Sequence, residues 1–225
     1  MPETLVRATS LSRAYGSGAA RVIALRDATF TVATGDAVSL AGPSGSGKTT
    51  LLHLIAGLEA PTSGSIEWPA LGVGPSLRPG SVPIAFQGPS LLPALTITEN
   101  VALPMILAGT DQLDATAAAL ELLHAFEIDT LADKLPEELS GGQGQRAGLA
   151  RAFCGSPRLV LADEPTGQQD TATGDRLLGT ILALADTHGT ALIVATHDAS
   201  VSERLAGRWS MRDGILRTKA RACSV

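Results

Sequence analysis

Disulfides are the first thing this sequence lacks. It has two cysteines, Cys154 and Cys223, in 225 residues, too few for a disulfide framework, and a reducing compartment is the simplest setting. Basic charge is not in excess either. Lys and Arg number 17 against 22 Asp and Glu, a net charge of −5. That balance argues against a broad basic face for nucleic acid. Aromatic residues are 3% of the chain, with Tyr15 the only tyrosine. No stretch reads as a membrane span. The longest uncharged run, Pro79–Thr98, is broken by Pro83, Gly88, Pro89 and Pro93. The start, Met-Pro-Glu-Thr, lacks the basic region and apolar core of a secretory signal. There is no internal repeat.

What the chain has in quantity is apolar residue. Mean hydropathy is +0.21, high for a soluble protein, and the surplus gathers in residues 79–109, where Glu99 is the only charge. Two readings of that middle stand: an Ala/Leu-rich core, or a docking surface for something apolar. The length fits one domain, or one with a small subdomain.

Short strands are expected at Leu5–Ala8, Val22–Ala24 and Ala28–Ala33, with a turn at Gly16-Ser17-Gly18. Asp36–Ala41 is an apolar strand that enters a glycine-rich loop, and Thr49–Gly57 has helical spacing with Gly57 at its C-terminal stop. Strands follow at Ser65–Trp68 and Val82–Phe86, then helices from Thr96, from Asp111 to Phe126 and from Ser140 to Cys154. Arg158–Ala162 and Thr190–Ala195 are continuous apolar runs of the buried parallel kind. A helix over Asp170–Thr187 joins them, and a short one covers Asp198–Ala206. Asp213-Gly214 marks a hairpin between Trp209–Met211 and Ile215–Arg217. The alternation predicts an α/β fold with a parallel core sheet and an antiparallel N-terminal part.

The strongest chemical signal is Gly42-Pro43-Ser44-Gly45-Ser46-Gly47-Lys48-Thr49, which fits G-x-x-x-x-G-K-[ST] between a predicted strand and a predicted helix. Glycines let backbone N–H groups turn inward around phosphate oxygens, and the helix adds its positive end. Lys48 then reaches the β- and γ-phosphates of ATP, Thr49 ligates Mg²⁺, and Thr50 is counted with the loop. The second signal is the apolar run that ends in Asp163-Glu164. A carboxylate at a strand tip can hold the metal shell, and the next can polarise the attacking water. Acids commonly end buried strands, so this pair gains force only beside a phosphate loop. The third signal is Leu139-Ser140-Gly141-Gly142-Gln143. Ser140 and Gln143 make a capping box that needs no ligand. Two glycines in a first helical turn cost about 1 kcal/mol each. Their presence suits a helix end that must come close to another backbone or to a phosphate.

Leu139–Gln143 resembles the signature motif of the ATP-binding cassette (ABC) ATPases, and the other elements follow in that family's order. The resemblance implies a P-loop NTPase fold with an α-helical signature subdomain. One ABC ATPase domain would fill residues 1–225, its helical subdomain (about 88–155) inserted in a RecA-like core. It further implies that Gln87 is the Q-loop glutamine, a ligand of Mg²⁺ and water. His197 becomes the switch histidine at the γ-phosphate, Tyr15 the ring stacked on adenine, and Asp170 the end of the D-loop. In the family the signature of one subunit covers the ATP held by another. A chain with one of each motif is then half of a head-to-tail ATP sandwich with a second copy.

The stretch from Gln87 to Pro104 is similar to the lipoprotein-release and macrolide-export group, whose permeases have few spans and large outer domains. The implied function is ATP hydrolysis powering export through a separate membrane permease, from the cytoplasmic, inner face of the membrane, with no nucleic acid involved. The alternative is a regulatory or mechanotransmission cassette that signals through a membrane partner and moves no substrate. Three departures from the family stand out: a short Gly64–Gln87 segment, Gln169 where leucine is usual, and Gly144 where glutamine is common. Basic residues near the end (Arg208, Arg212, Arg217, Lys219, Arg221) suit either an anionic membrane surface or a solvated tail. His53, His124 and His188 read as packing or solvent residues, and Cys154, Trp68 and Trp209 as core.

Overall fold

The computed structural model describes residues 2–71, 82–88 and 90–219. It divides into two compact units, Met1–Leu77 with Ala191–Val225, and Arg78–Thr190. Pro79, Pro89, Arg221, Cys223 and the middle of the short Gly64–Gln87 segment lie outside the described residues.

In the first unit, β1 (Thr4–Tyr15) pairs antiparallel with β2 (Val22–Ala33) and with β4 (Ser63–Glu67). The two segments expected at Val22–Ala24 and Ala28–Ala33 are one strand, and the strand expected at Leu5–Ala8 runs on to Tyr15. Bulges interrupt the alternation along both strands. Ser10 and Asp27 take positive φ, and the Thr29 and Ser12 hydroxyls accept from their backbone N–H groups at 3.0 and 2.9 Å. The register breaks, yet each displaced amide keeps a partner.

The same unit holds β3 (Ala37–Ala41), α1 (Lys48–Ile55), β7 (Ala191–Thr196), α6 (Ala199–Glu203), β8 (Gly207–Arg212) and β9 (Ile215–Lys219). Its described strands run β4-β1-β2-β9-β8-β3-β7. β3 is parallel to both β7 and β8, and β7 is buried along its whole length. Asp213 and Gly214 both take positive φ, as the predicted two-residue hairpin requires. Gly57, at φ +69, stops the helix where the sequence places its end. Trp209 packs on Phe30 with ring centroids 5.0 Å apart, and buried Trp68 donates from Nε1 to Ile55 O at 2.8 Å.

The second unit contains β5 (Ile84–Ala85), α2 (Ile97–Leu107), α3 (Gln112–Ala125), α4 (Gly141–Phe153), β6 (Leu159–Asp163) and α5 (Thr171–His188). Every residue of β6 is buried, and β5 runs parallel to it. α2 begins with a closed capping box between Thr96 and Glu99, as their spacing predicts. α4 passes through Gly144 unbroken. The apolar middle divides along α2: Ile97, Val101 and Ala102 are core, while Leu92, Ile106 and Leu107 are exposed. Cys154 is buried beyond the end of α4, and burial pushes its thiol up to about 11.

Candidate active site

Residues 42–47 link β3 to α1 in the first unit, and Lys48 and Thr49 open the helix. Gly45 and Gly47 take φ of +76° and +104°, which L side chains disfavour. A Cβ on Gly42 would run into Met211 O, and one on Gly47 into Ala24 O, so both positions admit only glycine. Lys48 is buried and folds back over the loop, donating from Nζ to Gly42 O at 2.8 Å and to Pro43 O at 3.3 Å. Ser46 is buried too, and its Oγ has no hydrogen-bond partner among the described residues. An ammonium, an orphan hydroxyl and the first turn of a helix, whose amides have no carbonyl four residues back, make a cradle for an anion.

His197 follows β7. The register pairs Ala41 with Thr196, and Gly42 N–H donates to Thr196 O at 3.3 Å, so the histidine's strand end is bonded to the start of the loop. Asp198 caps α6 by accepting from Ser200 N and Oγ at 2.8 Å, bonds that hold its carboxyl below the usual range.

Tyr15 ends β1, about a third exposed. Its hydroxyl donates to Glu59 Oε2 at 2.6 Å and lies 3.4 Å from Thr50 Oγ1, one residue past Thr49. The Arg13 guanidinium sits 4.6 Å from the ring centroid and donates to the same Glu59 oxygen at 2.9 Å. His53 Nδ1 is 3.2 Å from Glu59 Oε1. Sequence reasoning missed this network. Arg13 had a signal, since it shares a strand face with Tyr15, but Glu59 is 44 residues away and pairs only through the fold.

The remaining site residues lie in the second unit. Asp163 and Glu164 leave the end of β6 buried. Glu164 has φ +49°, and its carbonyl accepts from Gly167 N at 3.1 Å and from Gln145 Nε2 at 2.8 Å. The β5–β6 register pairs Ala85 with Ala162, and Gln87 follows two residues after β5, its carbonyl accepting from Gln168 Nε2 at 3.3 Å. Ser140 Oγ accepts from Gln143 N at 3.3 Å while Gln143 Oε1 accepts from Ser140 N at 2.8 Å, so the capping box is closed. Gly141 and Gly142 face side chains of their own chain, Gln168 and Gln169.

Residues 25–167, more than half the chain, match the sequence model of the ABC transporter family. The chain belongs to that family. ABC cassettes bind ATP, and membership implies its hydrolysis. Among solved structures the chain is similar to MJ0796, a bacterial ABC transporter cassette, in a dimeric post-hydrolysis state bound to ADP and Pi. That match has a TM-score of 0.88 at 32% identity and covers 96% of this chain and 98% of that one. It also shares the fold of cbiO1 from Clostridium perfringens, part of the ABC transporter complex cbiONQ. There the TM-score is 0.81 at 24% identity, over 96% of this chain and 87% of that one. Among the described residues no helix is long and apolar enough to cross a membrane.

Proposed function

We propose that this ABC cassette is the ATP-hydrolysing subunit of an exporter of the lipoprotein-release and macrolide-export group, acting through a separate integral-membrane permease with few spans and a large outer domain. One observation carries the ATPase reading: the glycine-walled loop in which buried Lys48 and the unpartnered Ser46 hydroxyl meet the first turn of α1. Support for the group comes from the Gln87–Pro104 sequence, and exposed Leu92, Ile106 and Leu107 offer apolar surface for a permease helix. In this reading residues 1–225 are one ATPase domain with the helical part inserted, held at the inner face of the membrane.

The roles follow from the chemistry of each group. Backbone amides of residues 42–49 and the Lys48 ammonium hold the β- and γ-phosphates, and Tyr15 stacks on adenine with its hydroxyl fixed by Glu59. Glu164 orients the attacking water and takes its proton, Gln87 orients the same water, and His197 contacts the γ-phosphate. Thr49, Gln87 and Asp163 are oxygen donors of the hard kind that suits magnesium, which when bound offsets charge on the phosphates. Ser140, Gly141, Gly142 and Gln143 of a second copy close over the nucleotide in a head-to-tail pair.

The purified chain should turn over Mg-ATP, and Lys48→Ala should lower kcat/KM by about 100-fold or more while circular dichroism still shows a folded chain. Turnover that survives the substitution would overturn the assignment.

A further inference from the structure

The loop from Glu164 to Asp170 is fastened at both ends to α4 of its own chain. At its start Gln145, itself buried, donates from Nε2 to Glu164 O at 2.8 Å. At its far end Gln169 donates from Nε2 to Gly142 O, also at 2.8 Å. Between these anchors Gly167 N–H donates to Glu164 O and Gln169 N–H to Thr166 O, each at 3.1 Å. Gln168 adds a third tie, from its Nε2 to Gln87 O at 3.3 Å. The first-turn glycines of α4 make room for these amides. A Cβ on Gly142 would lie 2.8 Å from Gln169 Nε2, and one on Gly141 would strike Gln168 Oε1.

The loop needs fastening because Glu164 sits at φ +49°, a conformation a non-glycine residue keeps only where its surroundings hold it. Gln145 secures the peptide of Glu164, but nothing in that bond fixes the path of the next five residues. The leucine more usual at position 169 has no donor for Gly142 O. We propose that Gln168 and Gln169 are positioning residues, whose side-chain amides tie the loop after Glu164 to the start of α4 and to the Gln87 peptide, and so hold the Glu164 carboxylate in its hydrolytic geometry. This rests on the reading of Glu164 as the residue that activates water.

Gln169→Met keeps the length of the side chain and removes the donor. In the nucleotide-free chain, hydrogen exchange at the Gly167 and Gln169 positions should quicken by about 5-fold, the factor one net hydrogen bond is worth. With Mg-ATP, kcat should fall by a similar factor while KM stays within about 2-fold. A residue that only supports packing would lower the melting temperature without that split. Unchanged exchange at the two amides, or an unchanged kcat, overturns the proposal. Should Gln169→Met fail to fold, Gln168→Met removes the neighbouring tie and is read in the same way. A parent chain with no ATP turnover overturns the hydrolytic reading and this proposal with it, whereas turnover in the parent and an unaltered variant overturns this proposal alone.

Discussion

Glu59 shows how a residue with no motif comes to hold one in place. Burial by itself raises its carboxyl pKa, but hydrogen bonds from Tyr15 and His53 and the charge of Arg13 outweigh that, and the net shift is downward. A carboxylate held below its ordinary value adds stability above that value, and the gain is lost as pH falls through the folded one. Glu59→Gln should therefore lower the melting temperature at pH 7 by about 2–4 °C, with the gap closing below about pH 4. A gap that ignores pH would assign the loss to packing. Cys154 is the opposite case. Its place on the apolar side of the helix marked it as core, and burial outweighs a hydrogen bond from the Gly155 backbone, raising the thiol to about 11 and keeping it protonated near neutrality. The family order pointed to Tyr15 but said nothing of its anchors, because cross-strand and helix–strand partners leave no local period.

At the scale of elements, α2 is held by a side chain that no motif announced. Asn100 is fully buried, and its Oδ1 accepts from Leu92 N at 2.7 Å. Its Nδ2 faces Leu92 O, Leu95 O and Thr96 O, each at 3.0 Å. One amide thus fastens the loop before the helix to the helix itself and gives that loop's backbone groups a fixed partner. Asn100→Ala should cost about 2–3 kcal/mol in urea unfolding, since it removes a fully buried side chain together with the partner of the Leu92 N–H and of the Leu95 carbonyl. A loss under about 0.5 kcal/mol would mean water replaces the side chain. The start of α4 is the converse case: the capping box was readable from Ser140 and Gln143, while the use of Gly141 and Gly142 was half read. The spacing told of a close approach. That the nearest neighbours in this chain are Gln168 and Gln169 needed the structure. Strand lengths in the first unit were misjudged for a local reason, because bulges at Ser10 and Asp27 shift the alternation without ending the pairing.

For the whole molecule, the proposed reading has the signature of a second copy closing over each nucleotide, and nucleotide should then supply part of the interface. Glu164→Gln removes the proton acceptor and should therefore trap an ATP-bound dimer, seen in gel filtration with Mg-ATP as a shift from monomer to dimer. A variant that stays monomeric under saturating ATP would count against the sandwich. The sequence alone determined the fold class, and it supplied the phosphate-loop motif and the order of the proposed site residues, since each is written in contiguous residues whose backbone geometry admits few alternatives: glycines at positive φ, a helix start, apolar runs that end in acids. Only tertiary structure decided what holds those residues in place. Glu59 under Tyr15, the Thr196 carbonyl bonded to Gly42, and Gln169 on Gly142 join segments 27 to more than a hundred residues apart. Such partners are chosen by strand register and helix packing, which depend on every side chain between them.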